Sequence, residues 1–81
     1  MAATEVILPK VDMDMETGVL VAWKVAEGDR VAAGDILFEM ETGKAMMEVE
    51  APATGTIRDL ARITGEPVAV GTVVAWIDPE A

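Results

Sequence analysis

The sequence predicts an all-β domain, a closed sandwich of two small antiparallel sheets related by a pseudo-twofold axis. Three observations predict it. Glycines at 18, 28, 34, 43, 55, 65 and 71 leave few windows long enough for a substantial helix. Between them lie short runs rich in Val, Ile, Leu and Trp, which read as strands cut by turns. The third observation is an internal repeat at an offset of 37 residues. Gly18/Gly55, Gly28/Gly65, Val31/Val68, Ala32/Ala69 and Gly34/Gly71 are identical without a gap, and Asp29/Glu66, Ile36/Val73, Leu37/Val74 and Glu41/Asp78 are conservative. Matching glycines imply matching turns, because glycine takes φ > 0 without steric cost. Two copies are too few for a solenoid, but two half-cores closed on each other give a short all-β chain enough burial.

Six runs are long enough to be strands: 5–8, 19–24, 36–41, 45–50, 56–60 and 73–77. The first two are separated by a loop about six residues longer than its counterpart, since the second half runs directly from Pro52 to Gly55. The third and fourth form the clearest pattern. Ile36, Phe38 and Met40 point one way, with Leu37, Glu39 and Glu41 opposite; after a turn, Ala45, Met47 and Val49 continue the apolar face, with Met46, Glu48 and Glu50 opposite. This is a half-buried antiparallel hairpin. Its register has either Met40 or Thr42 opposite Ala45, and both preserve the buried face because they differ by two residues. The last two runs repeat the second and third at the common offset. Trp23 and Trp76 are assigned to the hydrophobic packing. Residues 42–44 follow the first copy as 78–81 follow the second, so the hairpin tip and the chain termini are pseudo-equivalent and expected at opposite ends.

Composition narrows the function classes. The chain has 81 residues, 15 acids against 6 bases, a formal charge of −9, and neither His nor Cys. It is read as one domain, 1–81, with its core over about 5–78 and residues 79–81 as the possible start of a linker from a longer chain. The commonest general base, thiol nucleophiles, disulfides and His/Cys zinc sites are excluded. So acidic a chain does not suit a phosphate backbone, and no run approaches the ~20 apolar residues of a membrane span, so neither nucleic acid nor membrane is expected as a partner. Residues 1–5 carry no Lys or Arg, so a basic-then-apolar leader is not expected in them. The spacing Asp12-x-Asp14-x-Glu16 is a poor calcium loop, because its glycine comes one place late and its twelfth position is Trp23. No metal is expected, and Met13 and Met15 are read as loop packing.

Of the six cations, Lys44 stands apart, because Glu41-Thr42-Gly43-Lys44-Ala45 forms the turn of the best-defined hairpin. A solvated lysine amine is protonated and a poor nucleophile, and nothing nearby supplies a base or a dry pocket. On the residues alone Lys44 reads as a solvated turn lysine, and if it has a further role, that role is to be a place where another enzyme attaches something rather than a catalyst. The stretch from Gly28 through Glu41-Thr42-Gly43-Lys44-Ala45, then Val49-Glu50-Ala51-Pro52 and Gly55, resembles the biotinyl/lipoyl attachment domains, and the likeness runs from Leu8-Pro9-Lys10 to Ile77. That resemblance implies a flattened eight-stranded barrel or sandwich with the acceptor lysine at an exposed hairpin tip. It makes Lys44 the attachment site. Biotin acceptors carry Met on both sides of the lysine, whereas here the neighbours are Gly43 and Ala45. Lipoyl acceptors read Asp-Lys-Ala after Glu-Thr, so Glu41, Thr42 and Ala45 match and Gly43 departs.

The opening Leu8-Pro9-Lys10-Val11-Asp12-Met13-Asp14-Met15-Glu16 resembles lipoyl domains of acyltransferase subunits in 2-oxo acid and acetoin dehydrogenase complexes. The resemblance implies covalent lipoic acid on Lys44, with biotin as the alternative cofactor. It implies attachment by a lipoate ligase or lipoyl transferase. A thiamine-dependent decarboxylase would load the arm, an acyltransferase core would unload it to coenzyme A, and a flavin-dependent dihydrolipoamide dehydrogenase would reoxidise it. The domain itself would catalyse none of these steps. Asp12, Asp14 and Glu16 would help partners recognise it, and the acids Glu39, Glu41, Glu48 and Glu50 are expected at the same end. Such complexes imply a bacterial cytoplasm or a mitochondrial matrix. An unmodified lipoyl-like interaction module is the competing reading, and Gly43 is the residue that favours it.

Overall fold

Four glycines hold the repeat together through their backbone angles. In a computed structural model, which describes residues 3–10, 13–43 and 45–79, Gly28, Gly34, Gly65 and Gly71 have φ of 92°, 96°, 80° and 90°. That is the left-handed region, where a Cβ costs roughly 1–2 kcal/mol. Gly18 and Gly55, the third matched pair, are glycines for a different reason: neither has a positive φ. A Cβ on Gly55 would collide with the Asp78 carbonyl oxygen and lie 2.8 Å from Ile77 Cγ2, while one on Gly18 would meet the Met40 and Met15 methyl groups at 2.7 and 2.9 Å.

Eight strands result: β1 (Thr4–Ile7), β2 (Thr17–Trp23), β3 (Arg30–Val31), β4 (Ile36–Glu41), β5 (Met46–Glu50), β6 (Gly55–Arg58), β7 (Val68–Ala69) and β8 (Val73–Pro79). Every pairing is antiparallel. One sheet has the order β1-β8-β6-β3 and the other β5-β4-β2-β7. Exchanging β1 with β5, β8 with β4, β6 with β2 and β3 with β7 turns one sheet into the other, which is the pseudo-twofold the repeat predicts. The hydrogen bonds obey it as well. Gly34 N donates to Ala51 O at 3.0 Å and Gly71 N to Leu8 O at 2.9 Å; Lys24 N donates to Leu37 O at 2.8 Å and Ala61 N to Val74 O at 2.7 Å.

Strict alternation along β4 fails at one residue. Ile36 pairs with Glu50 and Phe38 with Val49, so Leu37 is an extra residue in the strand, a β-bulge. The bulge turns Leu37 inward beside Phe38, and both are fully buried, contrary to the expectation that Leu37 faces out. Its copy behaves alike: Val73 pairs with Ile7 and Ala75 with Val6, leaving Val74 as the extra, buried residue. Strand β5 is more exposed than a half-buried hairpin requires, since Met46 and Met47 are open to solvent and only Val49 is partly covered. It is the edge of its sheet.

The two half-cores meet as one cluster in which Leu20/Ile57, Leu37/Val74, Phe38/Ala75 and Met40/Ile77 are buried symmetry mates. The large Phe38 ring against the small Ala75 lets the layers interdigitate. Trp23 packs on this cluster, its ring centroid 4.9 Å from that of Phe38, and its indole Nε1–H donates to Ala61 O at 2.9 Å. Trp76 departs from the expected packing role. It lies outside the buried cluster, with the Arg58 guanidinium carbon 5.7 Å from its ring centroid.

Candidate functional site at the hairpin tip

The β4–β5 hairpin settles on one of the two open registers. Glu39 pairs with Glu48, Met40 with Met47 and Glu41 with Met46, and Thr42 N donates to Ala45 O at 2.9 Å. Thr42 therefore stands opposite Ala45, and the strands are joined between them. Lys44, the candidate acceptor, lies outside the described residues, as does Asp12. What is described is the frame on either side of Lys44. The Thr42 hydroxyl accepts from Ala45 N–H at 3.1 Å and can donate to Ala45 O at 3.1 Å, so one side chain closes the turn.

Glu41, Gly43, Ala45 and Met46 are exposed, and together with Thr42 they line an open, shallow hollow of about 260 Å³. Nothing lies within 4 Å of a Cβ built on Gly43, and its φ is not left-handed. The one departure from the lipoyl pattern is therefore not demanded by the backbone. Gly43→Asp is expected to change stability by no more than about 0.5 kcal/mol in urea unfolding.

The long loop reaches the same end of the sheet. It feeds β2, whose Val19 pairs with Glu41, and Val70 N donates to Glu16 O at 3.0 Å. Met15 is its anchor: buried, it shares with Met40 the space over Gly18. Met13, expected to pack likewise, is 90% exposed. Asp14 and Glu16 are on the surface of this loop.

The other acids are spread along the hairpin rather than gathered at its tip. Glu39 is bound to Lys24 at 3.4 Å, and Glu50, opposite Ile36, sits at the far end of β5, about 13 Å from Met46 at 3.3 Å per residue. Symmetry exposes an asymmetry in charge. Asp78, the copy of Glu41, is gripped by Arg58 Nε at 2.8 Å, and Arg58 also bonds Asp59. These bonds, chiefly the one to Asp78, push the guanidinium above its ordinary range, so the cluster keeps its cation. The place of Arg58 in the other copy is taken by Val21. Among the described residues no cation is paired with Glu41 as Arg58 is with Asp78. Among the described residues no three acids come together in a way that could hold a metal ion, and no helix is long and apolar enough to cross a membrane.

The family described as biotin-requiring enzyme, the biotin/lipoyl family, matches residues 4–77. The chain is 46% identical over 72 residues to the pyruvate dehydrogenase E1 component subunit beta of Rhizobium meliloti, covering 88% of this chain and 16% of that one. It is 47% identical over 72 residues to the dihydrolipoyllysine-residue acetyltransferase component of the pyruvate dehydrogenase complex of Zymomonas mobilis, covering 88% of this chain and 16% of that one. With the corresponding component of the acetoin cleaving system of Bacillus subtilis it shares 36% identity over 75 residues, 93% of this chain and 19% of the other. The chain thus spans less than a fifth of the length of these relatives.

Proposed function

The chain belongs to the biotinyl/lipoyl attachment family, and on that footing we propose that it is a lipoyl carrier domain, modified on Lys44, that moves acyl groups and reducing equivalents between the active sites of a 2-oxo acid or acetoin dehydrogenase complex. The observation that carries the reading is the tip: a turn closed by Thr42 and Ala45 on either side of the lysine position, with Glu41, Gly43 and Ala45 exposed and Thr42 half-buried. Room there fits a covalent arm that must stand clear of the fold, since a Cβ on Gly43 meets nothing within 4 Å. Lipoic acid would supply a dithiolane on a long flexible tether, able to carry an acyl group and two electrons, which a chain without Cys cannot provide itself. Lys44 contributes the amine for the amide bond, and the hairpin contributes its position. Tethering raises the local concentration of the carried group at each partner site.

Biotin is the second reading, favoured by the breadth of the family. Against it stand Gly43 and Ala45 where biotin acceptors place Met, and the dihydrolipoyllysine names of the relatives. Those relatives include an E1 beta subunit as well as acyltransferases. An acyltransferase parent chain, with its lipoyl ligase or transferase, thiamine-dependent dehydrogenase and flavin-dependent dihydrolipoamide dehydrogenase as partners, is accordingly the proposed setting, in a bacterial cytoplasm or a mitochondrial matrix. The span 1–81 is proposed as one carrier domain.

The test compares the lipoylated domain with free lipoamide as acceptor for a thiamine-dependent 2-oxo acid dehydrogenase. The domain is expected to be acylated at least about tenfold faster at low salt. The advantage should shrink as ionic strength shortens the screening length from about 10 Å at 0.1 M to about 3 Å at 1 M. Equal rates for domain and lipoamide would count against a carrier that partners recognise, and a salt-independent advantage would remove the acids from that recognition.

A further inference from the structure

An ordinary two-residue hairpin closes through main-chain bonds in both directions between the residues flanking its loop. Here the Thr42 N–H does bond the Ala45 carbonyl, at 2.9 Å, but the Ala45 N–H is received at 3.1 Å by the Thr42 hydroxyl. The same hydroxyl is 3.1 Å from the Ala45 carbonyl oxygen, to which it can donate. A single Oγ1 thus touches both polar groups of the residue that follows the lysine position. Gly43, inside the loop, is exposed, and a Cβ there would meet nothing within 4 Å.

We propose that Thr42 is a positioning residue for the modification of Lys44, its hydroxyl holding the loop in the closed geometry that a lipoate ligase engages. This rests on the carrier reading above. The attaching enzyme must bring one amine to an activated carboxyl, and an acceptor that samples many loop conformations meets that geometry less often. Thr42→Val keeps the shape and removes the hydroxyl. Thr42→Ser keeps the hydroxyl and removes the methyl.

The experiment measures initial rates of lipoylation by a lipoate ligase with ATP and lipoate, using folded wild-type, Thr42→Val, Thr42→Ala and Thr42→Ser domains. Folding is checked by tryptophan fluorescence in urea. Loss of two neutral hydrogen bonds corresponds to a fall of at least about fivefold in kcat/KM for Thr42→Val and Thr42→Ala, while Thr42→Ser stays within about twofold of wild type. Amide exchange supplies a second readout, with the Ala45 N–H protected in the wild type and fast in Thr42→Val. Wild-type rates in both hydroxyl-free variants, an equal loss in Thr42→Ser, or an unprotected Ala45 amide in the wild type would each overturn the proposal while leaving the carrier reading intact. A wild-type domain that takes no lipoate overturns the carrier reading, and this proposal with it.

Discussion

Gly55→Ala is expected to cost about 3 kcal/mol or more, a large share of the roughly 4–12 kcal/mol that 81 residues at 0.05–0.15 kcal/mol each would have. The reason is where the methyl goes. A Cβ on Gly55 lands on the Asp78 carbonyl oxygen and 2.8 Å from Ile77 Cγ2. Gly55 begins β6, which pairs with β8 in the register Gly55/Pro79, Thr56/Asp78, Ile57/Ile77 and Arg58/Trp76. Backbone cannot step aside as a side chain can, so relief requires the strands to part and Ile77, fully buried, to move. The symmetry mate is the control. At Gly18 the same methyl meets the far ends of Met40 and Met15, which can rotate, so Gly18→Ala should cost only about 1 kcal/mol. Urea unfolding followed by tryptophan fluorescence measures both, and a Gly55 variant no less stable than the Gly18 variant would refute the close-approach account.

The second large effect is chemical rather than structural. Lys44→Arg should abolish lipoylation while leaving the urea midpoint unchanged within about 0.5 kcal/mol. Arginine keeps the positive charge, but its guanidinium stays protonated under all ordinary conditions and is not acylated. The remaining lysines are Lys10 and Lys24, neither of them in the hairpin turn, and Lys24 is paired with Glu39 at 3.4 Å along the sheet. Residual modification of Lys44→Arg, mapped to Lys10 or Lys24, would move the attachment site and contradict the tip assignment.

The repeat makes the architecture legible in the sequence itself. Identical residues at a fixed offset implied two like halves, and the two sheets exchange strand for strand. What composition missed were β3 and β7, of two residues each, because Arg30–Val31 and Val68–Ala69 are too short to display any periodicity. Their place comes from partners across the fold. Leu37 was misassigned because a bulge adds a residue without leaving a mark in the pattern, and Val74 repeats the event in the other half. Matching glycines were read as matching turns, which holds for the four left-handed ones and not for Gly18 and Gly55. Those two answer to close packing, which depends on what lies opposite.

The tip was legible in part. The sequence left the hairpin register open by two residues, and the Thr42–Ala45 bonds settle it. Thr42 itself entered only as a letter in a familiar motif, although a threonine just before a two-residue loop is a recognisable closing device. The spread of the hairpin acids was harder to foresee. Glu39 is drawn to Lys24 across the sheet, and Glu50 is carried to the far end of β5 by strand length alone.

The central claim is that this domain carries lipoic acid on the lysine of its hairpin tip. Intact-mass measurement followed by peptide mapping tests it most directly, after the wild-type chain is incubated in parallel with a lipoate ligase and lipoate and with a biotin ligase and biotin, each with ATP. The result expected is one lipoyl group per chain in the first reaction, mapped to the peptide containing Lys44, and neither mass gain nor avidin binding in the second. An unmodified mass in the first reaction, or biotin on Lys44 in the second, would contradict it.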